Sequence, residues 1–183
     1  MTSYEFTLRL NREVTDDEIE ALYEAGCGDA GIETGSLGAL ADFNREASSL
    51  AEAITSAARD IEKVPGLRAV GVKCDNMVTL LNIADRTGVS REAVRLWATG
   101  GRGPGGFPPP AMITTGGEKV WDWEQVVPWI ERSHKSLEAY DQGRAAAMRI
   151  MGMADRVLAA RDALLSEPDE SVRHEFERLL EDA

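Results

Sequence analysis

The chain is 183 residues long, with 43% hydrophobic and 28% charged side chains and a formal net charge of −12. That is the composition of a soluble globular protein with room for one good-sized domain, or for two small ones and a tail. The acidic balance excludes nucleic-acid binding through bulk positive potential, no run reaches the apolar length of a membrane span, and Met1 to Leu10 lacks the charged-then-apolar pattern of a secretion signal.

Tyr4 to Leu10 (YEFTLRL) alternates, with Tyr4, Phe6, Leu8 and Leu10 on one face, and predicts a half-buried strand. Thr15-Asp16-Asp17-Glu18 is a capping box that opens a helix with Ile19, Leu22 and Tyr23 on its apolar face. Gly26 or Gly28 ends that helix. Ala30 to Glu33 predicts a short strand, and Leu37 to Glu46 a second, bulged one using Leu40 and Phe43. Ser48 to Lys63 is helical, with Leu50, Ile54, Ala57, Ala58 and Ile61 at three-to-four spacing. Pro65-Gly66 breaks it before a last strand, Leu67 to Val72. Strand, helix, strand, strand, helix, strand is the order of a ferredoxin-like βαββαβ domain over residues 1–75, with both helices on one face of an antiparallel sheet. Asp16, Asp17, Glu20 and Glu24 line its first helix. They form either a solvated helix face or an acidic surface for a basic protein partner.

Thr79 to Gly100 (TLLNIADRTGVSREAVRLWATG) predicts a helix-turn-helix. Leu80, Ile83 and Ala84 face inward on the first helix. Gly88 supplies the positive φ of a helix C-terminus, and Ser90 is the N-cap of a second helix, Arg91 to Ala98. Val94 turns inward while Arg91, Glu92 and Arg95 point out, the geometry that enters a major groove. GGRGPGG (Gly100 to Gly106) is too rich in glycine for regular structure, and Phe107-Pro108-Pro109-Pro110 leaves it as a stiff extended segment. Ala111 to Thr115, Gly116-Gly117 and Glu118 to Trp123 predict strand, two-residue turn and strand, together a wing. An amphipathic helix follows, with Val126, Val127, Trp129 and Ile130 as its packing side.

LLNIADRTGVSREAVRLWATG, then GGFPPP, then VWDWEQVVPWI resembles the winged helix-turn-helix of MerR, AlpA and phage excisionase-like regulators, over roughly residues 78–132. With its N-terminal region, the arrangement is also similar to small uncharacterised actinobacterial DNA-binding proteins. The resemblance implies that Ser90, Arg91, Glu92 and Arg95 meet double-stranded DNA at the second helix, and that Arg102 and Lys119 approach the backbone from the wing. Trp97-Ala98 departs from the aromatic and acidic pair usual in MerR proteins, which shifts the resemblance toward the AlpA or excisionase type. Charge agrees with this placement. Residues 1–77 hold 7 basic and 15 acidic side chains and residues 124–183 hold 8 and 13, whereas residues 78–123 hold 5 and 4. Five cations permit few phosphate contacts, so specific binding is expected to need a homodimer or a higher array on repeated half-sites.

Past a polar stretch, Leu137 to Leu165 predicts one long helix, with Leu137, Tyr140, Ala147, Met151, Ala154, Leu158 and Leu165 along a seam. Ser166-Glu167-Pro168-Asp169 stops it, and Asp169 to Leu180 returns as a shorter helix with Val172, Phe176, Leu179 and Leu180 inward. The seam packs on its own chain, forms a dimer, or receives a partner.

No catalytic centre emerges. GGRGPGG lacks the lysine and hydroxyl residue of a phosphate-binding loop, no serine or cysteine sits in a nucleophile's setting, and the histidines are isolated. Cys27 and Cys74 lack ligand spacing with His134 or His174, so neither a metal nor another cofactor is expected, and reduced thiols in a cytoplasmic protein are. The sequence therefore predicts an α+β protein in three segments: 1–75, a winged helix-turn-helix over 76–133, and a C-terminal helical hairpin over 134–183. Two function classes follow, a sequence-specific DNA-binding repressor or an antitoxin-type protein that neutralises a partner and autoregulates. An excisionase-like architectural factor is a further option within the DNA-binding class.

Overall fold

In order along the chain, the computed structural model, which describes residues 1–35, 38–74, 76–133 and 142–181, contains β1 (Thr2–Leu10), α1 (Asp16–Leu22), a π-helical turn (Tyr23–Cys27), β2 (Ala30–Gly35), β3 (Gly38–Ala47), α2 (Leu50–Ile61), β4 (Ala69–Val72), β5 (Met77–Val78), α3 (Leu80–Thr87), α4 (Arg91–Ala98), β6 (Met112–Ile113), β7 (Lys119–Asp122), α5 (Trp123–Ser133), α6 (Gln142–Ser166) and α7 (Glu170–Glu181). The protein is α+β, with two antiparallel sheets of order β2-β3-β1-β4 and β5-β7-β6. It divides into two compact units, Met1–Lys73 with Met153–Ala183, and Cys74–Gly152. This differs from the three segments read from the sequence: the C-terminal residues from Met153 group with the N-terminal sheet and form no segment of their own.

In the first unit, alternation on β1 buries Phe6, Leu8 and Leu10. Across from them β3 turns Ala39, Ala41, Phe43, Arg45 and Ala47 inward, with Phe6 opposite Phe43 and their rings stacked at 5.3 Å. Small alanines on β3 let α2 lie close, with Ala53, Ile54, Ala57 and Ile61 at 1% exposure or less. Each such isoleucine contributes roughly 1.5–3 kcal/mol of burial. Leu40 points the other way and is half-buried, and the irregularity in this sheet falls between Arg9 and Leu10 where β1 meets β4, not on β3. The capping box of Thr15 and Glu18 is present. Of the three apolar residues read onto α1, only Leu22 is buried, because the helix regularises for just seven residues before the π-turn displaces Tyr23.

Arg45 is the unexpected core residue. Its guanidinium donates to both Asp29 oxygens (2.8 and 3.0 Å), to Asp60 (2.8 Å), to Ser56 and to the Gly26 carbonyl, and lies 4.9 Å from the Phe43 ring. Beside it the buried Cys27 thiol is pushed up to about 11, first by burial.

Polar contacts explain why Met153–Ser166 of α6 joins this unit. The Asp155 carboxylate accepts from Arg9 (2.5 Å) and from the Val72 backbone N–H (2.9 Å), satisfying an edge donor of β4. Arg68 donates to Asp162, and Arg161 pairs with Glu62. Gly71 permits the approach: a Cβ there would overlap Arg9 and Asp155. After the break at Glu167–Asp169, α7 leaves Phe176 and Leu179 55% and 66% exposed and Val172 37% exposed, so these three side chains are not inward as periodicity predicts; the side chain of Leu180, the fourth, lies outside what the structure describes. The expected helix start at Leu137, the seam residue Tyr140, and His134 lie outside the described residues. No helix among those described is long and apolar enough to cross a membrane.

The second unit has its own core, built from Val78, Ile83, Ala84, Val94, Trp97, Trp121, Trp123, Val126, Val127, Trp129, Ile130 and Met148. Strand β5, which the sequence does not signal, pairs Met77 with Asp122 and Val78 with Trp121. Gly152 is buried, and a Cβ there would overlap the Asn76–Glu124 hydrogen bond (2.9 Å).

Candidate nucleic-acid interface

Local chemistry positions α3 and α4 with little ambiguity. Thr79 and Asn82 form a reciprocal capping box at the start of α3, and Gly88 takes the left-handed conformation at its end (φ +69°). Ser90 then accepts from the Ala93 N–H (3.2 Å) to start α4. Val94 and Trp97 point into the core, which turns the opposite face of α4, with Arg91, Glu92 and Arg95, to solvent.

The loop after α4 is tied down. Trp129 Nε1 donates to the Gly105 carbonyl (2.8 Å) and Trp121 Nε1 to that of Pro108 (3.1 Å). Phe107 stands edge-on to both rings at 5.0 and 6.2 Å. Gly103 passes the faces of Trp97 and Trp129 at a φ of +92°, a conformation that a side chain would strain. Gly103 thus serves close packing on the indoles, and the edge-on contacts of Phe107 with Trp121 and Trp129 are worth about 0.5–1.5 kcal/mol each beyond burial.

The hairpin turn differs from expectation. Thr114 pairs with Glu118 (2.9 Å), the Gly117 N–H returns to the Thr114 carbonyl (2.9 Å), and Gly117 has φ +80°. That is a three-residue loop with a left-handed glycine, not a two-residue Gly-Gly turn. An ordinary turn followed by one left-handed residue restores the strand twist that a bare two-residue turn of that type would splay.

Six residues singled out by the sequence fall as follows. Arg91 and Lys119 line one cleft of about 340 Å³ with Leu80, Gly116, Gly117 and Glu118, so helix and hairpin present cations together, with one carboxylate among them. Glu92 and Arg95 pair with each other: Arg95 Nε donates to one carboxylate oxygen (2.8 Å) and Nη2 to the other (2.6 Å). This hydrogen bond first, then the charges of Arg95 and Arg91, holds the Glu92 carboxyl below its ordinary range. Ser90 is exposed at the N-terminus of α4, where its oxygen is engaged as the cap. Arg102 is exposed in the glycine-rich loop and does not line the cleft. Arg86, a cation in the same segment, is turned inward, 5.0 Å from the Trp123 ring and 3.5 Å from Met148 Sδ.

Two features escaped sequence reading. The Glu92–Arg95 pairing is legible in principle, since three-residue spacing on a helix puts them adjacent. Glu118 inside the cleft was not, because it depends on where the turn folds. Among the described residues no group of three or more His, Cys, Asp or Glu side chains is arranged to hold a metal. No protein-family model, curated protein or solved structure matches the chain.

Proposed function

We propose that this protein is a sequence-specific DNA-binding transcriptional regulator, a repressor acting as a homodimer, whose winged helix-turn-helix presents α4 to a major groove and the β6–β7 hairpin to the adjoining backbone. The observation that carries the reading is the shared exposed face of Arg91 and Arg95 on α4, with Lys119 of the hairpin lining one cleft with Arg91. A helix N-terminus capped by Ser90 adds free backbone N–H groups for a phosphate oxygen. The sheet order β2-β3-β1-β4 supports a ferredoxin-like N-terminal domain, which on this reading sets dimer geometry and has no catalytic role. Few cations lie on the reading head, so two copies on paired half-sites are needed for tight binding. The exposed apolar side chains of α7 and a groove lined by Ala160, Ala163, Leu164, Val172, Phe176 and Leu179 supply a surface for that pairing.

The test is a titration of the purified protein against the DNA upstream of its gene, at two salt concentrations, with an unrelated duplex as competitor. Competitor-resistant binding is expected, and Arg91→Ala with Arg95→Ala should weaken it at least about 100-fold, as two lost base or phosphate contacts imply. Equal binding by the double variant, or no binding at low salt, refutes the reading.

A further inference from the structure

The two donors that Glu92 occupies are those on one side of the Arg95 guanidinium, Nε and Nη2. Arginine carries five N–H groups in a planar fork. Two are spent on the carboxylate, and the end-on edge, with one N–H from each terminal nitrogen, stays unspent and is directed away from the side chain. That edge matches the O6 and N7 acceptors of guanine in the major groove. Both partners are exposed, with side-chain exposures of 48% for Arg95 and 63% for Glu92, so the pair stands where a duplex would meet it.

We infer that Glu92 is a positioning residue that holds the Arg95 fork edge-on, and that the pair selects a guanine at one position of the operator. Two consequences follow from the charges. The pair is neutral as a unit, so it adds little to the sequence-independent attraction of phosphates, and what Arg95 contributes is discrimination between bases. Glu92 also opposes phosphate approach on its own account, which penalises any duplex that does not satisfy Arg95. A bare arginine at this position would bind more DNA and choose less among sequences. The inference rests on the DNA-binding reading and goes beyond it by naming the base and dividing the roles.

Selection from a duplex library with a randomised core tests it, using the full-length wild type, Glu92→Gln, Arg95→Ala and Arg95→Lys. The wild-type motif should contain a guanine whose replacement costs about tenfold in affinity, a preference that Arg95→Ala and Arg95→Lys both abolish. Glu92→Gln should weaken preference at that same base pair and leave the other positions unchanged. Its binding to unrelated duplex should rise and its dependence on log salt steepen by about one, the signature of one unmasked cation. Unchanged guanine preference in Glu92→Gln overturns the inference while the DNA-binding reading stands. Loss at a different base pair also overturns it, since Glu92 would then read a base itself. A wild type that enriches no motif overturns both.

Discussion

Arg45 and Asp29 form a two-point clamp, Nε to Oδ2 at 2.8 Å and Nη2 to Oδ1 at 3.0 Å, in which the arginine side chain is only 9% exposed. The same guanidinium reaches Asp60 on α2 and the Gly26 carbonyl, so one residue of β3 ties the π-turn and the second helix to the sheet. Arg45→Ala would leave the Asp29 and Asp60 carboxylates without their shared cation. A loss of about 3 kcal/mol is expected by chemical denaturation, the low end for breaking a buried pair because both carboxylates keep some solvent. Adding Asp29→Asn to that variant should recover part of the loss. A cost below about 1 kcal/mol would show that the network contributes little.

Acid sensitivity in the first unit should report on Glu18. Its carboxyl is lowered from the ordinary 4.5 to about 2, first by the hydrogen bond from Arg12 and then by the Thr15 backbone N–H. A carboxylate with a depressed folded pKa stabilises the fold above its unfolded value, and that contribution is lost as pH falls through the folded value. The stability difference between wild type and Glu18→Gln should therefore be full above about pH 5 and shrink toward pH 2. A difference that stays constant across that range would mean the Arg12–Glu18 pair does not set the titration.

The exposed face of α7 should govern self-association. Phe176→Glu with Leu179→Glu places charge on two of its most exposed apolar positions, 55% and 66% in the single chain, away from the buried core of the unit. Sedimentation equilibrium should show the mass halved to 19.9 kDa, with operator affinity falling at least about tenfold as half-site pairing is lost. An unchanged mass, or a wild type that is already monomeric, removes α7 from the dimer.

Much of the local structure could be read from the chain alone, because its causes are local. Thr15 with Glu18, Ser90, and Gly88 are caps whose chemistry acts within three or four residues, and strict alternation assigns Phe6, Leu8 and Leu10 to one face of β1. For the same reason the outward set Arg91, Glu92 and Arg95 follows from Val94 and Trp97 facing in. Tertiary structure decided what depends on partners distant in sequence. Arg45 is in phase with the inward alanines of β3, yet only Asp29, Asp60 and Gly26 brought against it make a charge tolerable there. Strand β5 exists because β7 supplies its partners, and two residues carry no periodicity of their own. The long C-terminal helix shows the division most plainly. Its apolar residues suggested a seam, of which Leu158 is buried, and Asp155, Asp162 and Arg161, polar residues silent in any hydrophobic pattern, also join it to the N-terminal unit. Hydrophobic spacing specifies that a helix has a face to bury; which surface receives it is set by charges and edge donors that meet only once the chain has folded.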